Sequence, residues 1–205
     1  MRLRLSRNRG RRRLAALALG ALGLGACAPG PAQPARVQRR FAVMGTELRV
    51  SLEAPTRGPA VEASERVYRA VVAAEQRLST WRDDSELAIA NRAPVGEAIA
   101  LSPELARDLR GAARVERETD GAFALCVLPL VEAWGLRTGG RTPSPDDLER
   151  AGEALRSGVE LEAATLVRRH EAARVEEGGF GKGAALLDAV HALEESGVTR
   201  ASLDL

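Results

Sequence analysis

The residue types that could do chemistry are concentrated in one glycine-rich stretch. It reads EEGGFGKG from Glu176 to Gly183, and Lys182 is the single lysine among 30 lysines and arginines. Glycine permits positive φ angles and a close approach of a ligand to the main chain. A lysine ammonium adds a positive charge with three donors, which suits a phosphate or pyrophosphate group. The stretch therefore predicts an anion-binding loop.

The elements that must position this loop are a strand before it and a helix after it. Leu166 to Val175 has the pattern of two short strands around a turn, and Ala184 to Ser196 has helical spacing. A helix N-terminus leaves unpaired N–H groups and a partial positive charge, which favours an anion. The stretch is neither a Walker A loop, because Gly183 stands where Ser or Thr is required, nor a GxGxxG fingerprint. A tight turn without a ligand fits the same residues.

Composition limits the function classes. The chain has 205 residues, of which 45% are hydrophobic and 28% charged, as expected for one domain with a packed core. Seven of the 30 basic residues lie in the first 26 positions, which hold no acid, so the remaining positions hold 23 basic and 28 acidic residues. This balance argues against a nucleic-acid-binding protein.

The first 26 residues resemble an export signal. An arginine-rich start precedes a short apolar run from Leu14 to Ala26, and the junction Leu24-Gly25-Ala26-Cys27 resembles a bacterial lipobox. Arg11-Arg12-Arg13 could instead serve a twin-arginine signal, and a plain signal peptide with a chance cysteine is a further alternative. We expect a lipoprotein signal over residues 1–26, lipidation of Cys27, a tether over 27–40 and a domain over 41–205.

The domain alternates strand and helix patterns, which predicts a mixed α/β (α+β) fold. Leu48, Val50 and Leu52 alternate with polar residues as in a half-buried strand, and residues 61–78 have the spacing of a helix on a core. Ser102-Pro103 and Ser144-Pro145 are typical helix starts. Residues 201–205 begin an apolar strand, so we expect a truncated chain whose last strand lacks sheet neighbours.

The remaining chemistry-bearing residues are few. His170 and His191 are isolated, so no His and Cys spacing typical of a metal site exists, and no serine lies in a G-x-S-x-G motif. Beyond Cys27 there is only Cys126, so an internal disulfide is not expected. Four of the six aromatic residues lie in or beside glycine-containing loops: Trp81, Phe123, Trp134 and Phe180. They could stack on a ring system of a ligand or anchor loops on the core, and for Trp134 we favour the anchor.

In order along the chain, these motifs resemble those of the ApbE flavin transferases, formerly called thiamine biosynthesis lipoproteins. The resemblance rests on MGT at 44–46, STW at 79–81, SEL at 85–87 with Asn91, TDGAF at 119–123, PLV at 129–131, WG at 134–135 and GGFGKG at 178–183. It covers residues 41–205. No one motif is specific, but the ordered set is.

The resemblance implies an FAD:protein FMN transferase. Such an enzyme splits magnesium-bound FAD at the pyrophosphate, passes FMN to a Thr or Ser of an acceptor protein and releases AMP. The implied setting is the outer face of the cytoplasmic membrane, and the implied partners are flavoprotein subunits of membrane redox complexes. Phosphoryl transfer depends mainly on positioning and charge neutralisation, which a glycine loop, a lysine and a metal supply.

The resemblance also assigns site residues. The positions that match FAD contacts are Met44, Trp81, Ala122, Phe123, Ala124, Glu176 and Lys182. Gly179 matches the position whose carbonyl binds Mg²⁺, and no catalytic residue is assigned.

The sequence departs from the family pattern at several positions. It has Phe123-Ala124 where Phe-Asp is usual, Glu176-Glu177 where Asp-Leu is usual, and Asp188 one position later than the family aspartate. The family's downstream half, which completes the magnesium site, is absent from the sequence, so we expect this chain alone not to transfer FMN. A non-catalytic FAD-binding or interaction module, or an exported domain without a ligand, are the alternatives.

Overall fold

The computed structural model describes residues 33–205, which form a mixed α/β fold. The strands are β1 (Ala35–Val43), β2 (Thr46–Ala54), β3 (Ala98–Ala100), β4 (Val159–Glu162), β5 (Thr165–Arg168) and β6 (Arg200–Asp204). The helices are α1 (Arg57–Leu78), α2 (Glu86–Asn91), α3 (Pro103–Glu118), α4 (Leu128–Ala133), α5 (Pro145–Ser157) and α6 (Gly181–His191). In this part of the chain, no helix combines the length and apolarity needed to cross a bilayer.

The first sheet has the order β1-β2-β6, and all its pairs are antiparallel. Leu48, Val50 and Leu52 are buried, as their alternation predicts. The sheet packs against α1 and α6 around a core that includes Val67 and Val71 on α1. It positions the hairpin turn between β1 and β2 beside the C-terminal half of α1.

The sheet corrects two boundary expectations. Strand β1 begins at Ala35, so the predicted tether over 27–40 overlaps a strand that pairs along its whole length with β2. Strand β6 does have a neighbour, because Arg200 to Asp204 pair with Glu53 to Arg49 of β2. The expectations for the export signal and Cys27 concern residues outside the described range.

The second sheet has the order β3-β5-β4 and covers a separate core. Leu105 and Leu109 of α3 and Leu166 of β5 are fully or almost fully buried there. Ser102 caps α3 through its hydroxyl, which accepts the Leu105 N–H at 3.1 Å, and Ser144 forms a capping box with Asp147 at the start of α5. Both predicted helix starts are confirmed.

The segment between β5 and the glycine loop differs from the prediction of a second strand. The Arg168 guanidinium donates to the carbonyls of Glu171 and Ala173, and the Ala172 N–H donates to Nδ1 of His170 at 3.1 Å. These bonds fold residues 169–173 into a turn, so the extended pattern ends at Arg168. Helix α6 begins at Gly181, three residues before the predicted start, and ends at His191.

Candidate functional site

A cleft of 530 Å³ lies between the hairpin turn, the C-terminal end of α1, the loop that follows it, and the glycine loop. Its lining includes four of the seven predicted FAD contacts, namely Met44, Trp81, Glu176 and Lys182. These residues are up to 138 positions apart in the sequence, so the fold brings them together. The remaining lining residues are Gly45, Glu75, Ser79, Arg82, Glu177 and Gly178.

The hairpin turn places Met44 at the cleft. Met44 and Gly45 both have positive φ, +52° and +67°, which is the backbone of a two-residue hairpin turn. The N–H of Met44 donates to the Glu75 carboxylate on α1 at 2.9 Å. A non-glycine residue in the left-handed region is uncommon, and here the β1–β2 pairing and a charged acceptor hold it there.

Serine hydroxyls shape the loop that carries Trp81. The Ser85 Oγ donates to the Ser79 carbonyl at 2.5 Å and accepts the Ala88 N–H at 3.0 Å, which caps α2. The Trp81 N–H donates to Ser79 Oγ at 3.2 Å. The Trp81 residue is 68% exposed, so its indole presents a large aromatic surface at the cleft.

The glycine loop is held by an amide clamp and by the segment after α3. Asn91 of α2 donates to the Val175 carbonyl at 2.9 Å and accepts the Val175 N–H at 2.8 Å. The next N–H, of Glu176, donates to the Leu125 carbonyl at 3.1 Å. The clamp replaces the predicted second strand and fixes the backbone where the two loop glutamates begin.

The glycines of the loop serve close packing rather than positive φ. Gly178, Gly179, Gly181 and Gly183 all lie outside the positive-φ region, contrary to one of the two roles expected of them. A Cβ on Gly179 would lie 2.7 Å from the Phe123 ring, closer than real Cβ contacts. Gly179 therefore permits the aromatic ring of the 119–123 motif to pack directly against the loop.

The two loop glutamates form a cluster with Thr80 and Arg137. The Thr80 hydroxyl lies 2.5 Å from Oε2 of Glu177 and 3.3 Å from Oε2 of Glu176. Arg137 donates to Glu176 Oε2 at 2.5 Å and to the Thr80 carbonyl at 3.0 Å. Its guanidinium carbon also lies 4.3 Å from the centroid of Trp81.

This cluster contains two carboxyl groups and one guanidinium. Burial and the adjacent Glu177 carboxylate raise the pKa of Glu176, whereas Arg137 and Thr80 act in the opposite direction. One guanidinium faces two carboxylates, and no acidic side chain within the described residues pairs with Lys182. The cleft therefore combines a buried acidic pair with an exposed cation on the same loop.

A second groove of 610 Å³ adjoins the glycine loop. It lies between α3 and α6 and is lined by two of the predicted site residues, Phe123 and Gly179, together with Phe180 and Leu187. Ala122 and Ala124 flank Phe123 but line neither cavity. The structure thus divides the predicted FAD contacts between the cleft, the groove and the segment that holds Phe123.

Asp188 belongs to a separate ion network behind the loop. Its two carboxylate oxygens lie 2.7 Å from Arg77 of α1 and 2.7 Å from Arg107 of α3. Asp108 of α3 pairs with the same two arginines at 2.7 and 2.8 Å. The network fixes α6 against α1 and α3, which sets the position of Lys182 at the start of α6.

The donor set does not by itself make a magnesium site. Mg²⁺ requires a near-octahedral shell of oxygen ligands. Glu176, Glu177 and the Gly179 carbonyl have suitable oxygens, but Arg137 and Thr80 occupy the carboxylates, and residues 33–205 contain no group of three His, Cys, Asp or Glu side chains that could hold a metal ion. Asp188 is engaged in its ion network.

Sequence reasoning missed Arg137 and the Arg77 network. Arg137 lies three residues after Trp134, in a turn where the Gly140 N–H donates to the Gly135 carbonyl at 2.8 Å. It reaches Thr80 across 57 positions, and no local pattern signals that contact. The sequence offered one hint, a basic residue two positions after the Trp134-Gly135 motif.

Comparison with solved structures identifies the fold as that of flavin transferases. The flavin transferase ApbE from Vibrio cholerae has a TM-score of 0.77 at 22% identity, and its match covers 84% of this chain and 57% of the other. The flavinyl transferase ApbE of Pseudomonas stutzeri, in its apo form, gives 0.74 at 20% identity with the same shares. At these identities the likeness concerns the fold alone.

Sequence comparison then places the chain in a family. The ApbE family model matches residues 44–205, so the chain belongs to the ApbE family. The FAD:protein FMN transferase of Salmonella typhimurium LT2 is 30% identical over 123 residues, which is 58% of this chain and 35% of that protein. The chain thus spans about a third of this curated relative and 57% of the two solved relatives.

Proposed function

We propose that this chain forms the FAD-binding part of an FAD:protein FMN transferase. The observation that carries the proposal is the single cleft that gathers Met44, Trp81, Glu176 and Lys182. An exposed indole suits the flat ring system of FAD, and an ammonium without an acidic partner among residues 33–205 suits its pyrophosphate. Family membership and the name of the Salmonella typhimurium relative support the same activity.

The proposed reaction transfers FMN, through its phosphoryl group, from the pyrophosphate of FAD to an acceptor hydroxyl. The hydroxyl oxygen of an acceptor Thr or Ser forms a bond to the FMN phosphorus of FAD, the pyrophosphate P–O bond breaks, and AMP leaves with the bridging oxygen while the hydroxyl proton is released. Lys182 binds and orients the pyrophosphate, because positioning and charge neutralisation account for most catalysis of phosphoryl transfer. Trp81 holds the ring, and the Asn91 clamp keeps the loop in place.

Magnesium is part of the proposal because the family resemblance implies it. When bound, Mg²⁺ would neutralise charge on the transferring group. The described residues do not fit a complete magnesium shell, so we assign no step to the metal. Dependence of FMN transfer on Mg²⁺ and its loss with EDTA would test this part of the proposal.

A second candidate is an FAD-binding or interaction module without catalysis. The absence of a three-ligand acidic cluster within residues 33–205 favours it. Purified protein is mixed with FAD, MgCl2 and an acceptor flavoprotein subunit, and a denaturing gel is inspected for covalent flavin fluorescence. Labelled acceptor supports the transferase. Stoichiometric FAD binding without labelled acceptor supports the FAD-binding module, and absence of FAD binding contradicts both the transferase and an FAD-binding module.

We also propose that the protein is exported and anchored through a lipid on Cys27, and that its acceptors are flavoprotein subunits of membrane redox complexes. The basic start, the short apolar run and the Leu-Gly-Ala-Cys junction support the anchor. One acyl chain gives marginal binding, so stable anchoring needs the several chains of a bacterial lipoprotein. Metabolic labelling with a radioactive fatty acid tests it: label retained by Cys27→Ser contradicts the proposal.

A further inference from the structure

Arg137 connects three parts of the cleft that are distant in sequence. Its guanidinium covers one face of the Trp81 indole, donates to the carbonyl and hydroxyl of Thr80, and pairs with Glu176. The Arg137 side chain is only 20% exposed although it contacts a residue that is 68% exposed. A planar guanidinium with five donors in a fixed fork suits this combination of stacking and pairing, and an ammonium does not.

The contacts restrict Trp81 in a way that its own loop does not. The Trp81 N–H is bonded to Ser79, which fixes the backbone, but the indole ring lies at the surface. Exposed side chains change rotamers on the picosecond to nanosecond timescale unless a neighbour holds them. Arg137 is such a neighbour, and the Trp81 residue that it contacts stays 68% exposed and lines the cleft.

The same guanidinium offsets charge on the loop that carries Lys182. Glu176 and Glu177 share the Thr80 hydroxyl, and Arg137 is the cation that pairs with Glu176. Removing it would leave two neighbouring carboxylates facing each other in a buried position. Repulsion between the two carboxylates would then displace the loop directly after Val175, where the hydrogen bonds of Asn91 end.

We propose that Arg137 is a positioning residue for FAD binding, which holds the Trp81 indole as a preorganised platform for the flavin ring and keeps the glutamate pair of the loop together. This inference rests on the proposed function, since it assigns the ring of FAD to Trp81. Preorganisation lowers the entropy lost when a ligand binds, so its loss weakens binding without removing any direct contact to the ligand.

The test uses the full chain with Trp134→Phe, which leaves Trp81 as the single tryptophan. Arg137→Gln and Arg137→Lys are compared with Arg141→Gln, which removes an arginine from the same segment, where it pairs with Asp147 at 3.2 Å. Two quantities are measured: the fluorescence anisotropy of Trp81 without ligand, and the affinities for FAD, FMN and AMP from titration. Circular dichroism shows that each variant is folded.

Arg137→Gln should lower the anisotropy of Trp81 and raise the Kd for both FAD and FMN about three- to tenfold, as expected when one side chain must be ordered on binding. Arg137→Lys should recover part of the affinity, because it keeps the charge beside Glu176 but loses the fork. AMP affinity and the Arg141→Gln variant should be unchanged.

Two results separate this inference from the proposed function. Lower anisotropy with unchanged FAD and FMN affinity, or no change in either quantity, overturns the positioning role while FAD binding stands. No FAD binding by the wild-type protein overturns the proposed function and the inference with it. A larger loss of affinity for AMP than for FMN would place the adenine at Trp81 and also overturn the inference.

Discussion

Two clusters of arginine and carboxylate side chains within the fold differ in charge balance. In the network of Arg77, Arg107, Asp108 and Asp188, each of the four carboxylate oxygens has a guanidinium partner within 2.8 Å. In the cluster of Glu176, Glu177, Thr80 and Arg137, the one cation pairs with Glu176, and Glu177 accepts the Thr80 hydroxyl.

The two clusters therefore differ in role. The first holds helices in place, and the second forms part of the proposed binding surface. The balanced network joins three helices and pairs two guanidinium groups with two carboxylates. The unbalanced cluster lies in the wall of the cleft, beside an exposed tryptophan and Lys182, and burial together with the Glu177 carboxylate raises the pKa of Glu176. Perturbed titration of this kind is typical of functional sites.

The balanced network should give the largest effect on stability. Asp108→Ala would leave Arg77 and Arg107 to share one carboxylate in a site where the Asp108 side chain is only 2% exposed. Breaking a buried pair on one side costs about 3–5 kcal/mol of unfolding free energy. Urea denaturation followed by circular dichroism measures this. Asp204→Ala is the control, because its carboxylate is 72% exposed, and an equal loss in both variants would contradict the comparison.

Lys182 should affect FAD binding and not stability. A charge-assisted contact to a phosphate contributes roughly 1.5–3 kcal/mol, so Lys182→Ala should weaken FAD binding by about tenfold or more. Lys182→Arg keeps the charge and should retain most of the affinity. Unchanged FAD affinity of Lys182→Ala in low-salt equilibrium dialysis would contradict this prediction and show that Lys182 is an ordinary surface cation.

The pH dependence of the unfolding free energy should show a smaller effect, which comes from the cluster of Glu176. The pKa of Glu176 is raised in the folded state, so the folded protein binds its proton more tightly than the unfolded chain. Unfolding free energy should therefore fall as pH rises from the unfolded-state value of 4.5 through the raised folded-state pKa, and Glu176→Gln should remove this component. Thermal melts of both proteins at several pH values measure it. A parallel pH profile for the two would contradict the assignment.

Elements whose structure depends on residues nearby in the chain were predictable from the sequence. The alternation of Leu48, Val50 and Leu52 and the serine caps Ser102 and Ser144 correctly predicted a strand and two helix starts, because burial and capping depend on neighbours a few residues away. The residues of the cleft were identified through family resemblance. Their placement in one cavity was not visible in any local pattern.

The errors arose where side-chain contacts, most of them between residues distant in sequence, decide the local structure. Arg168 donates to carbonyls of the following turn, and Asn91 clamps Val175 from 84 positions away, so the apolar pattern after β5 does not continue as a strand. Arg137 was missed for the same reason. Glycine was expected to provide positive φ in the loop, but at Gly179 it provides space for a ring that lies 56 positions earlier in the chain.

The two tryptophans give the most direct test that the cleft is the FAD site. Trp81 and Trp134 are both exposed, at 68% and 43%, but only Trp81 lines the cleft. Calorimetric titration of FAD into Trp81→Ala and Trp134→Ala compares the loss of one indole at each position. The account predicts that Trp81→Ala weakens FAD binding by about tenfold or more, as expected for a lost stacking contact, and that Trp134→Ala matches the wild-type protein. Equal affinities for the two variants, or a larger loss for Trp134→Ala, would contradict it.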